Sequence, residues 1–170
     1  MIIRQETQKD YETVGEVVKS AFESAEHSDG NEPELVRALR KSQAFIPELS
    51  LVAEITGKIV GHIMFTKIRI GDAEELALAP LSVLPEYQRR GIGTELIKAG
   101  HRIAKKLGYG YSVVLGSAAY YSKTGYLPAG QFDIRPPFDV PDENYMVCRL
   151  DEEAPSVNGV VRYAKEFGLN

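Results

Sequence analysis

Apolar positions along this chain alternate between a spacing of two and a spacing near 3.6, and the switches divide it into elements. Ile2 to Gln5 is a short extended opening. Tyr11, Val14, Val18, Ala21 and Phe22 then follow helical spacing and predict a helix over residues 8–24. Thr7 with Asp10 three residues on gives it a capping-box start, with Asp where Glu or Gln is usual, and the polar stretch Ser24 to Gly30 breaks it. A second helix begins at Asn31, with Pro33 in its first turn and Leu35 and Leu39 on its apolar side. Arg40 and Lys41 suit its C-terminal end, and Pro47 closes the helical region.

Period two then takes over. Leu51 to Ile55, a turn at Thr56-Gly57, and Ile59 to Ile70 read as an antiparallel hairpin; after the Gly71-Asp72 turn comes a third strand, Leu76 to Leu84. Ile92, Leu96, Ile103 and Leu107 restore helical spacing over residues 91–107, and Gly108 is a good stop. Tyr111 to Leu115 is a short apolar strand suited to a sheet centre. Ser117 to Lys123 reads as a short helix closed by Gly125, then Tyr126 to Ile134 and Tyr145 to Leu150 as two strands flanking a Pro136-Pro137 loop. Val160, Ala164 and Phe167 give a short helix near the C-terminus.

At 170 residues the expectation is one domain over residues 1–150, with 151–170 an extension packed on it. A net charge of −4 offers no global field for nucleic acid, and basic residues cluster only at Arg89-Arg90 and Lys105-Lys106. The single Cys148 excludes an internal disulfide and a cysteine-based zinc site; it reads as a small buried hydrophobe, and no metal is expected. The N-terminus has no signal-peptide pattern and no apolar run reaches membrane-span length, so the expected compartment is the cytoplasm, with no membrane partner.

The chemistry concentrates between Leu81 and Leu96, L-S-V-L-P-E-Y-Q-R-R-G-I-G-T-E-L. A strand ends at Pro85 and Q-R-R-G-I-G opens a long helix, whose first amides and positive dipole end suit an anionic phosphate. Leu96 stands where a dinucleotide fingerprint needs Gly or Ala, and no G-K-[ST] is present for a Walker loop.

Gln88, Gly91 and Gly93 match the Q/R-x-x-G-x-G/A motif, so this stretch resembles the acetyl-CoA-binding segment of the GNAT superfamily of N-acetyltransferases. The order β-α-α-β-β-β-α-β-α-β-β matches that superfamily over residues 1–150, and V-L-G…Y-Y…G-Y with P-P-F-D-V-P at 136–141 resembles its bacterial YhbS-like group. The resemblance implies an α/β (α+β) mixed sheet, the GNAT acyl-CoA N-acyltransferase fold. Its N-terminal strands would be antiparallel, and its central parallel pair, 76–84 and 111–115, would splay apart.

The resemblance also implies roles. Leu81, Ser82 and Val83 would offer backbone groups to pantetheine, and the amides of Arg89, Arg90, Gly91, Ile92, Gly93 and Thr94 would hold the pyrophosphate of acetyl-CoA, a co-substrate. The Val83 N–H would face the oxyanion. Tyr121, four residues before Gly125-Tyr126, would be the acid for the departing thiolate and a CoA contact, with Tyr120 the competing assignment. Where many members carry Asn after the central strand, this chain has Gly116-Ser117. Glu34 is the candidate general base, with capping of its helix, three residues after Asn31, as its other role. His62, Glu86 and a water chain compete for that task. The acceptor would be an amine of a small molecule or peptide, and paired sheet edges are compatible with a homodimer. A CoA-binding sensor without turnover is the alternative reading.

Overall fold

The structure is a computed structural model, and it describes residues 1–23 and 30–169. The predicted break Ser24 to Gly30 therefore lies almost wholly outside the described residues. Strand β1 (Ile2–Gln5) leads through a 3-10 turn at Gln8–Asp10 into α1 (Tyr11–Phe22). The Asp10 carboxylate accepts from the Thr7 N–H at 2.7 Å and from its hydroxyl at 3.2 Å, so the capping group is the acid. Arg4 pairs with Asp10 at 2.7 Å and with Glu54 at 3.1 Å, fastening this turn to the sheet.

Helix α2 (Glu32–Arg40) follows, then β2 (Phe45–Ile55), β3 (Lys58–Ile70), β4 (Ala73–Val83), α3 (Ile92–Lys106), β5 (Tyr111–Leu115), α4 (Ala118–Tyr121), β6 (Leu127–Pro128), β7 (Ile134–Arg135), β8 (Tyr145–Arg149) and β9 (Gly159–Arg162). The main sheet runs β1-β2-β3-β4-β5-β8-β6, antiparallel except for the β4/β5 pair. The expected mixed sheet with a central parallel pair is present.

Three sequence readings are corrected. Pro47 does not close a helical region: α2 ends at Arg40, and Pro47 lies inside β2, where the register with β3 shifts between Phe45 and Ser50 and no ladder N–H is required of it. Tyr126 to Ile134 is not one strand. Pro128 starts a 3-10 turn over Ala129–Phe132, and Asp133 at φ 57° reverses the chain before β7. The C-terminal helix is instead β9, which pairs antiparallel with β3 and parallel with β7, followed by a 3-10 turn at Lys165–Phe167.

The sheet is covered on both faces. Leu51, Ala53, Ile63, Phe65, Leu76 and Leu78 pack against α3 through Ile92, Leu96 and Ile97. On the other face Val52, Ile59 and Met64 meet Val14, Val17 and Val18 of α1 and Val36 and Leu39 of α2. No helix among the described residues is long and apolar enough to cross a membrane.

Candidate functional site

The parallel pair is joined at only two positions, Leu76 with Ser112 and Ala77 with Val113. Beyond them β4 carries two residues, Ala79 and Pro80, opposite Met64 of β3, a bulge that bends the strand. From there β4 has no registered partner on its β5 side, while β5 stays paired with β8 to its end. The result is a gap between the two central strands.

Strand alternation decides which groups face that gap. The Leu84 N–H donates to the Val60 carbonyl at 2.8 Å, so Ser82, in register with His62, also turns its backbone toward β3. Leu81 and Val83 turn theirs toward β5, while their side chains pack on the α3 cluster. The Ser82 backbone is therefore committed to the sheet and stands apart from the expected pantetheine contact. The Gln88 side-chain amide donates to the Val83 carbonyl at 3.1 Å. That bond fixes the end of β4 and leaves the Val83 N–H facing the gap.

The glycine-rich turn lies next to it. Arg89 (φ 63°) and Gly91 (φ 82°) are both left-handed around Arg90, a sequence of conformations that gathers successive amides into an anion-binding concavity. The first intrahelical donor of α3 is Glu95, to the Gly91 carbonyl at 3.0 Å, so the amides of Ile92, Gly93 and Thr94 precede the helical ladder. The Arg89 and Arg90 side chains are exposed, and the Arg90 guanidinium stacks 5.1 Å from the Tyr87 ring centroid. Gly93 is required by packing: a Cβ there would collide with the Tyr120 hydroxyl, which also reaches the Thr94 side chain. Tyr120 thus closes one side of the cradle.

Tyr121 follows on α4, whose N-terminus is capped by the Ser117 hydroxyl accepting from the Tyr120 N–H at 3.3 Å. Its ring meets the edges of Tyr120 and Tyr126 at centroid distances of 5.0 and 5.6 Å, and it lies against the Gly116 backbone. Burial raises its pKa above the ordinary phenol value, so it holds its proton at neutral pH. Gly116 is itself fixed, its N–H donating to the Asn144 carbonyl at 2.9 Å and its carbonyl accepting from the Asn144 amide at 3.1 Å.

The candidate bases are spread over three elements. Glu34 is 61% exposed on α2 and lines a groove of about 770 Å³ between α1 and α2, with Arg37 at 4.0 Å. The Asn31 side chain makes no capping bond, so the box expected with Glu34 is incomplete. His62 is fully buried, its Nε2 2.9 Å from the Ser50 hydroxyl and 3.8 Å from Glu6, and burial lowers its pKa to about 4. Glu86 sits in the exposed turn before Gln88. Among the described residues no group of three or more His, Cys, Asp or Glu is placed to hold a metal.

Two features escaped the sequence reading. One is the buried ion pair of Glu6 with Arg40, both bonds 2.9 Å. The other is the chain His101–Tyr126–Ser112 beneath Tyr121. The signal for the second was present, since His101 falls four residues after Ile97 on the apolar side of α3 and Ser112 interrupts an apolar strand.

Residues 13–126 match the family model described as the acetyltransferase (GNAT) family. The uncharacterized N-acetyltransferase YjhQ of Escherichia coli (strain K12) is 34% identical over 163 residues, covering 91% of this chain and 87% of its own. A crystal structure of a GNAT family acetyltransferase from Brucella melitensis in complex with acetyl-CoA is 33% identical with a TM-score of 0.81, covering 98% of this chain and 97% of its own. That of YhbS from Escherichia coli in complex with CoA is 28% identical with a TM-score of 0.89, covering 98% and 91%.

Proposed function

The chain belongs to the GNAT acetyltransferase family, and from that premise we propose that it transfers the acetyl group of acetyl-CoA directly to a primary amine in a ternary complex. The observation that carries this reading is the gap itself: Leu81 and the Val83 N–H turn backbone groups without a strand partner into it, with the amide cradle at one end. An extended pantetheine can add there like a strand, and the pyrophosphate meets the amides of residues 89–94. That two similar proteins are crystallised with acetyl-CoA and CoA supports the same assignment.

In the reaction the amine nitrogen attacks the thioester carbon, the C–N bond forms and the C–S bond breaks. The Val83 N–H stabilises the oxyanion, and Gln88 keeps that strand end in place through the Val83 carbonyl. Tyr121 donates to the sulfur. Its raised pKa makes it a hydrogen-bond donor as negative charge grows, with the proton passing only as the C–S bond breaks and being replaced from water. The proton shed by the nitrogen balances the one the sulfur gains. We assign amine deprotonation to water at the gap: Glu34 faces the α1/α2 groove, and His62 is sealed in the sheet. The acceptor is an amine of a small molecule or peptide.

The test is acetyl-CoA-dependent release of free thiol over a panel of amines, with Tyr121→Phe in parallel. Amine-dependent release that falls about a hundredfold in the variant, the low end for a general acid, with KM for acetyl-CoA nearly unchanged, is the expected result. Acetyl-CoA binding without release for any amine would favour a sensor, and an unaffected Tyr121→Phe would remove that residue from the mechanism.

A further inference from the structure

Tyr126 is completely buried, yet carries a hydroxyl that a phenylalanine would have spared the core. That hydroxyl lies 3.0 Å from Nε2 of His101 on α3 and 2.9 Å from the Ser112 hydroxyl on β5. A phenol has one proton, so Tyr126 donates to one partner and accepts from the other. His101 is neutral at ordinary pH, its pKa lowered to about 4 by burial, and its Nε2 accepts or donates according to the ring's tautomer. A helix and a strand thereby hold one ring from two sides.

What that ring touches gives the arrangement its use. The edge of Tyr126 meets Tyr121 at 5.6 Å and 74°, and the Tyr126 N–H reaches the Tyr121 carbonyl at 3.4 Å. Tyr120 forms a second wall at 5.0 Å and 90°, and Gly116 a third, where an added Cβ would stand 2.5 Å from Tyr121 Cε2. Of the three, the Tyr126 wall is anchored by side-chain hydrogen bonds to both α3 and β5, the elements that carry the cradle and one rim of the gap.

We propose that Tyr126, held by His101 and Ser112, is a positioning residue that fixes Tyr121 toward the departing sulfur. This rests on the reading of Tyr121 given above. Donation to sulfur depends on direction, so a ring free to tilt loses rate while the cofactor stays bound by the cradle.

A double-mutant cycle tests it. Tyr126→Phe keeps the ring and removes only the hydroxyl; kcat should fall about tenfold, a transition-state loss near 1.4 kcal/mol, with KM for acetyl-CoA within about twofold. Tyr121→Phe/Tyr126→Phe should be no slower than Tyr121→Phe alone, because a positioning group has nothing left to position. Ser112→Ala, which leaves the His101 bond in place, should show the same pattern more weakly if Tyr126→Phe folds poorly. Losses that multiply in the double variant, or an unchanged kcat in both Tyr126→Phe and Ser112→Ala, would make the network purely structural and overturn the proposal. An unchanged kcat in Tyr121→Phe removes the premise instead, and the proposal goes with it.

Discussion

Gly93 shows how one residue can serve two demands. Its amide belongs to the first turn of α3, and its missing side chain makes room for the Tyr120 hydroxyl. Gly93→Ala should push Tyr120 out of its seat at an overpacking cost of about 1–3 kcal/mol. It should weaken CoA binding about tenfold by titration calorimetry, close to 1.4 kcal/mol. Adding Tyr120→Phe removes the colliding atom, so the double variant should recover much of both losses. If Gly93→Ala binds CoA like the parent, Tyr120 is not a wall of the cradle. Cys148 is a simpler case: buried beside Gly125, with its thiol pushed up to about 11, it behaves as the small hydrophobe its strand context suggested.

Among the elements, α3 couples the site to the sheet. It lies so close to β3 that a Cβ at Gly100 would run into the Phe65 ring. Gly100→Ala would gain about 1 kcal/mol of helix propensity, but the overpacking term of about 1–3 kcal/mol should win and lower the denaturation midpoint. Phe65→Leu in the same chain should restore part of it. Long elements were legible in the sequence: α3 spans 15 residues, and β3 and β4 span 13 and 11. Short pieces were not. Val160, Ala164 and Phe167 fit helical spacing, yet Val160 lies in β9, whose pairing with β3 spans some ninety residues of chain, and Ala164 and Phe167 lie beyond it at a 3-10 turn. Motif reading singled out residues 89–94 and Tyr121, which the fold links through Tyr120. It could not say that Ser82 turns its backbone away or that Gln88 binds the Val83 carbonyl, because both depend on register with β3.

Across the whole molecule, the face of the sheet opposite α3 is sealed around charge. Arg40 of α2 stacks 3.9 Å over Tyr11 of α1 and forks onto Glu6, which follows β1; Glu6 in turn faces His62 of β3. His62 Nε2 is shared with Ser50, and the residue is fully buried. Desolvation, the dominant cause, and the nearby Arg40 charge lower its pKa from 6.5 to about 4, against the opposing pull of Glu6. The folded protein therefore keeps His62 neutral at pH values where an unfolded imidazole binds a proton. Because the unfolded chain holds more protons between these two values, stability is fully present above pH 6.5 and declines as the pH falls toward 4. The total from His62 is about 3 kcal/mol, of which about 2 is lost by pH 5; His101, also lowered to about 4 by burial, acts in the same direction. Asp10, held near 2 mainly by its bond with Arg4, contributes stability that is lost only below its usual value of 3.8, so the two windows separate. Urea midpoints measured from pH 7.5 to pH 5 should drop well before carboxylates titrate. His62→Gln, whose amide can still meet Ser50, should flatten that drop, and an equal slope in parent and variant would show that the buried imidazole is not its source.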